Sequence, residues 1–299
     1  MINQINTNRR IFIRNLGLLT TALLANGFIF SAPKKSKMKL GLVTYLWGKD
    51  WDIPTLIKNC TAANILGVEL RVDHAHGVGP GISAERRKEV KKMFADSPMK
   101  IVGMGTNQQY DFVDQAQLKK SIEETKAWIK LSKDVGGTGV KVKPNAFHKE
   151  VPREKTIEQI GKALNEVGKY AADNGQKIRL EVHGTETQEL PNIKAIMDVA
   201  DNPNVFTCWN SNDEDLIGGG LAYNFNLVKN RQGDTVHVRE LNIGSYPYQD
   251  LMNLFVGMDY DGWILLECRT EPEDKVAAMK EQYEVFNTMV KNAKGNLKK

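Results

Sequence analysis

Along this chain, short runs of apolar and β-branched residues alternate with longer stretches in which apolar positions recur every three or four residues. The first pattern reads as strands buried on both faces, the second as amphipathic helices packed on them. Strands are predicted over 40–46, 68–72, 101–105, 140–143, 178–182, 205–209, 236–240 and 263–268. Helices are predicted over 53–65, 84–94, 115–135, 156–174, 190–200, 246–258 and 272–290, with a weaker one around 222–229. Glycine or a turn pair precedes several strands: Gly67, Gly136-Gly137, Asn174-Gly175, Asn202-Pro203 and Asp261-Gly262. These are the helix stops that a repeated strand–helix unit needs. Eight such units in about 260 residues match the α/β class and the size of a (β/α)8 TIM barrel. An open doubly wound sheet is the rival, but Thr44-Tyr45-Leu46-Trp47-Gly48-Lys49-Asp50 after the first strand is no Gly-rich phosphate fingerprint. No linker or low-complexity run divides the barrel, read as one domain over 39–293.

The first 32 residues read differently. Arg9-Arg10 and Arg14 lead into an apolar run, 16–25, of signal-peptide length, and the arginine pair resembles a twin-arginine export signal. The sequence therefore points to a periplasmic protein, with an uncleaved N-terminal anchor as the alternative to cleavage. Of the 41 basic residues, these three arginines fall in that segment, leaving a net charge of +2 against 36 acids. Lys34, Lys35, Lys37 and the C-terminal lysines concentrate what remains at the ends, so no basic footprint for nucleic acid is present. Cys60, Cys208 and Cys268 are too few and too dispersed for a disulfide framework and read as buried thiols.

In a barrel of this kind, sites are built at the C-terminal ends of the strands. Glu181, Asn210, His237 and Glu267 lie near four successive strand ends, 29, 27 and 30 residues apart, so the spacing places them at one height. Two carboxylates, an amide and an imidazole form a largely hard donor set. It suits one divalent ion, Mn2+ or Mg2+ first, then Co2+ or Zn2+. His183 follows Glu181 by two and shares its face, so a substrate hydrogen bond is expected of it. His74 and His76 sit in a Gly-rich loop over the mouth, and Lys143 ends the fourth strand; each is a candidate for holding a substrate oxygen. Arg239 and Arg269 follow the His237 and Glu267 strands as substrate contacts or as orienting partners. Tyr45, Trp47 and Trp209 offer faces for sugar stacking, with core packing as the alternative.

The Glu181-x-His183 strand, the Val-His237-Val-Arg-Glu strand and the Glu267 strand resemble the metal-binding strands of the xylose-isomerase-like TIM barrels. That family includes sugar epimerases, inosose dehydratases and apurinic endonucleases. The resemblance spans about 39–290. It implies a metal-assisted proton abstraction next to a carbonyl, through an enediolate, with Glu181 and Glu267 serving as ligands and as the acid–base pair. The family's strand-six Asp and its following His are replaced here by Asn210 and Asp213, which removes one negative charge. Asp213 is either a substitute carboxylate or a loop-capping residue. A sugar isomerase or epimerase is the simplest expectation. A lyase, dehydratase or hydratase acting on a keto-sugar or oxidised glycoside shares its first step, and a non-catalytic carbohydrate-binding barrel is the non-enzymatic alternative. Five histidines and a near-neutral body argue against a three-zinc endonuclease. The expected partner is a small carbohydrate; a homo-oligomer is compatible with the sequence.

Overall fold

The computed structural model describes residues 37–297; the targeting segment expected over 1–32, and with it the exported location, lies outside the described residues. Eight parallel strands, β1 (Lys39–Val43), β2 (Gly67–Arg71), β3 (Lys100–Gln109), β4 (Gly139–Lys143), β6 (Lys177–Glu181), β8 (Val205–Cys208), β9 (Thr235–Val238) and β10 (Trp263–Leu266), form one sheet in the order β8-β6-β4-β3-β2-β1-β10-β9. Two short strands, β5 (Asn145–Ala146) and β7 (Gly184–Thr185), pair separately above β4 and β6, a feature that no apolar pattern announced. The barrel closes between β8 and β9 through the Asn210↔His237 bridge, where the His237 N–H donates to the Trp209 carbonyl at 2.8 Å. The architecture is the (β/α)8 TIM barrel expected.

The outer layer is α1 (Ile53–Ala62), α2 (Ala84–Ala95), α3 (Gln115–Val135), α4 (Arg153–Asp173), α5 (Leu190–Val199), α6 (Gly220–Val228), α7 (Tyr248–Gly257) and α8 (Lys275–Asn296). Their starts follow from local chemistry. Asp52, Ser83, Asp114 and Asp274 each accept a backbone N–H of the first turn, replacing partners that a helix start otherwise lacks. At the other end of α3, Gly136 adopts φ +83°, the left-handed turn that releases the chain into β4. Among the described residues no helix is long and apolar enough to cross a membrane. Cys60, Cys208 and Cys268 are free and buried, as the sequence suggested.

The main apolar core lies between strands and helices, where Leu42, Leu70, Val140, Leu180 and Leu266 meet residues such as Ile129, Leu164 and Leu251. Inside the barrel the apolar layer shrinks to Val43, Val102 and Leu265. Much of the remaining interior is charged: Glu69, Lys141, Arg179, Glu181 and His237 are all buried. Branched apolar layers usually fill such interiors, and a buried charge persists only when paired. At the lower end the pairing is Arg179 with Asp234 at 2.7 Å and with the Thr138 hydroxyl at 2.8 Å. At the upper end it is the site.

Candidate metal centre

Side chains two apart on a strand share a face, so β6 turns Arg179, Glu181 and, just beyond it, His183 inward, and β4 turns Lys141 and Lys143 inward. Glu181, His237 and Glu267 are all buried and each places one donor atom within 4.8 Å of the other two. His237 Nδ1 lies 3.2 Å from Glu181 Oε1 and 3.8 Å from Glu267 Oε2. Ligands about 2.1 Å from a divalent ion stand roughly 3.0–3.4 Å apart around it, so this donor set fits one ion. Asn210, the fourth residue of the spacing, stands beside it: its amide donates to Glu181 Oε1 at 3.4 Å. Asp213 is exposed at the start of a 3-10 turn, Asp213–Leu216, outside this cluster, and the cap there is Asn212.

The second oxygen of each glutamate is held by a cation. Lys141 Nζ donates to Glu181 Oε2 at 2.7 Å, with both side chains 1% exposed. Arg71 Nη1 reaches Glu267 Oε1 at 3.3 Å and stacks over the Tyr45 ring. Burial by itself would raise Glu181, but the Lys141 ammonium and His237 outweigh it and hold the carboxyl well below its usual range. Burial would likewise strip Lys141 of its proton, yet Glu181, Glu69 and Glu267 together keep it charged. Glu69 Oε1 lies 3.2 Å from His237 Nε2 on the far side of the ring.

The remaining expected residues divide. His183, two residues beyond Glu181 and within reach of its charge, is half-buried, with Nδ1 lacking any protein partner. Lys143 donates to Asn107 at 3.1 Å and is pushed down to about 8, by burial first and then by Lys141. His74 Nδ1 meets the Thr44 hydroxyl at 3.2 Å and leaves its ring half-exposed at the mouth. His76 is different: it is buried, Nε2 bonds the Arg71 carbonyl at 2.8 Å and Nδ1 accepts from Val78 N–H at 3.0 Å. Both nitrogens are therefore committed to folding the loop, which removes His76 as a substrate contact. Trp209 is also corrected. Strand alternation turns it opposite to Asn210, into the helix layer against Phe225, fully buried, so no sugar can stack on it. Trp47 is likewise buried, its indole donating to the Thr270 carbonyl at 2.9 Å. Arg269 is exposed, its backbone tied to Glu240, while Arg239 sits beside Tyr248 and Asp215.

Glu69, Arg71 and Lys141 were not among the candidates, although a signal was present. Each is a charged residue within a mainly apolar strand: Glu69 and Arg71 are two apart and so share a face, and Lys141 stands two before the candidate Lys143.

Next to the site, Asp215 accepts the Tyr246 hydroxyl at 2.6 Å and the Asn212 N–H at 3.1 Å. Burial exceeds these bonds and raises its carboxyl to about 7. The unfolded value is about 3.9, so between about pH 4 and pH 7 the folded chain retains a proton that the unfolded chain has released, and stability falls as pH rises through that window. Asp215→Asn keeps an acceptor oxygen and cannot ionise. Between about pH 4.5 and pH 7.5 the denaturant midpoint of this variant should rise relative to that of the native chain; a constant gap between the two would contradict the assignment.

A (β/α)8 barrel with a buried Glu–His–Glu cluster at the C-terminal ends of its strands defines a recognisable class of site-bearing barrels. The chain belongs to the xylose isomerase-like TIM barrel family, whose pattern matches residues 57–289. Its fold is similar to that of an L-ribulose 3-epimerase, with a TM-score of 0.74 at 16% identity over 87% of this chain and 97% of that one. A 3-keto-D-glucoside 4-epimerase from E. coli matches with a TM-score of 0.72 at 14% identity, over 84% of this chain and 100% of that one. The IOLI protein, with a binding zinc atom, matches at 0.71 and 14% identity over 86% and 99%. No curated protein matches the chain by sequence.

Proposed function

We propose that this protein is a metal-dependent sugar isomerase or epimerase that removes a proton next to a carbonyl. The observation that carries the reading is the buried Glu181–His237–Glu267 cluster, whose donor atoms converge at the strand ends. Glu181, His237 and Glu267 would hold a divalent ion there, which would supply a Lewis acid for polarising a substrate carbonyl. Asn210, adjacent and uncharged, completes the polar wall.

The two glutamates take unequal parts. Glu181 is fixed by Lys141 on one oxygen and faces His237 and Asn210 with the other; a carboxyl held so far below its usual range is a weak base and a steady ligand. Glu267 is the more open, 8% exposed, with only the longer Arg71 contact on Oε1. We assign removal of the proton to Glu267, with Arg71 steadying its Oε1; return from the same group gives isomerisation, whereas inversion at one carbon needs a proton delivered to the opposite face, the part left to Glu181. We assign the binding of substrate hydroxyl or carbonyl oxygens to His183 and Lys143, with His74 as a further contact; the unpartnered Nδ1 of His183 supports this reading. Lysine near its transition at about 8 can donate a proton to a substrate oxygen and recover it. A substrate with a leaving group next to the reacting carbon would instead give elimination from the same first step, so a lyase or dehydratase is the second outcome of one site.

The test is solvent deuterium uptake. Metal-loaded protein incubated in D2O with a panel of ketoses and 3-keto-sugars is expected to place deuterium on the carbon next to the carbonyl of at least one member. A panel that stays unlabelled and unconverted under every divalent metal tried would refute the reading.

A further inference from the structure

His237 can serve the cluster only if its ring offers a neutral nitrogen in a fixed direction, and an imidazole left to itself exchanges tautomers and turns. Glu69 stands where it stops both. Its side chain leaves β2 for the barrel axis, fully buried, and Oε1 lies 3.2 Å from His237 Nε2 while Nδ1 of the same ring faces Glu181 and Glu267. Neither Glu69 oxygen, nor His237 Nε2, has an aligned hydrogen-bond partner with the ring as placed. The 3.2 Å separation is within hydrogen-bond reach, so an aligned Nε2–H would pair with Glu69 Oε1. The neighbouring strand makes room for this carboxylate and for nothing larger: a Cβ at Gly105 would lie 2.6 Å from Glu69 Oε1, and one at Gly103 would lie 3.2 Å from Oε2. Arg179, the buried cation below, donates its hydrogen bonds to Asp234 and Thr138, and Glu69 adds a longer-range attraction to Arg179 and to Lys141 but bonds neither.

We infer that Glu69 is a positioning residue for the metal centre: it accepts the Nε2–H of His237 and so fixes the ring in the tautomer and orientation that present Nδ1 to the ion. This rests on the metal-dependent reading of the site. A carboxylate behind a ligating histidine orients the ring and strengthens it as a ligand, and loss of such a partner typically weakens metal binding about 10- to 100-fold.

The test uses the full chain, stripped of metal by a chelator and titrated with Co2+, followed by calorimetry and by the visible absorption of the bound ion. Glu69→Leu nearly preserves size and removes the acceptor together with the charge; Gly105→Ala touches no ligand but displaces Glu69 by the clash described. Both are expected to fold, by circular dichroism, to weaken Co2+ binding about 10- to 100-fold, and to change the absorption envelope. A merely structural role for Glu69 lowers the melting temperature but leaves affinity and envelope as in the native chain, and that result would overturn the inference while the metal centre stands. A native chain that binds no Co2+ would overturn both.

Discussion

With Gln in place of Glu267, kcat/KM at saturating metal is expected to fall about 10²- to 10⁴-fold, the usual contribution of a general acid–base group. The substitution keeps the side chain's volume and its contact with Arg71, so packing at the barrel mouth is little altered. What it removes is the group able to take a proton from carbon, together with one anionic donor. Glu181→Gln should differ in kind. It takes the charge from the most buried donor and leaves Lys141 facing an amide, so metal binding itself is lost, whereas Glu267→Gln binds metal more weakly but still saturates. The pair is measured by deuterium uptake on the sugar that the native protein labels, beside metal affinity. Retention of more than about a tenth of native turnover by Glu267→Gln would remove that residue from the proton-transfer role.

The metal-free form of Lys141→Met is expected to be less stable than the native chain by about 3–5 kcal/mol, the usual cost of stranding one member of a buried ion pair. Lys141 and Glu181 are 2.7 Å apart and both 1% exposed, so solvent does little to screen the loss. Methionine fills most of the lysine stem and leaves the Glu181 carboxylate without its nearest cation. For a chain of this size the loss corresponds to a fall of roughly 5–10 °C in melting temperature. A bound divalent cation supplies the missing positive charge, so added metal should raise the variant's melting temperature by more than it raises that of the native chain. An unchanged melting temperature without metal would show that the ion pair carries no net stability.

The eight strands were legible because short runs rich in β-branched and apolar residues, several preceded by glycine or a turn pair, recur at the spacing of one strand–helix unit. Glu181, His237 and Glu267 stood out because one strand–helix repeat separates strand ends of equal height, and the structure brings all three together. The parts that were not legible are those decided by direction across the barrel. Glu69 and Lys141 sit below the strand ends, on β2 and β4, and a rule that inspects only ends passes over them. Trp209 adjoins the inward-facing Asn210 in sequence, and strand alternation sends neighbours to opposite faces, so core packing and not sugar stacking is its role. His76 shows the same limit in a loop: its spacing from His74 says nothing of the two backbone groups that occupy its ring. The unequal character of the two glutamates comes from Lys141 and Arg71, contacts with sequence separations of 40 and 196 residues that no local pattern contains.

The most direct test of the metal-dependent account is the metal content of the folded protein by plasma mass spectrometry, run beside Glu181→Gln and Glu267→Gln. The account predicts near-stoichiometric divalent metal in the native chain, after purification or after loading and desalting, with less in Glu267→Gln and almost none in Glu181→Gln. A native chain that carries no metal and retains none after loading would contradict it.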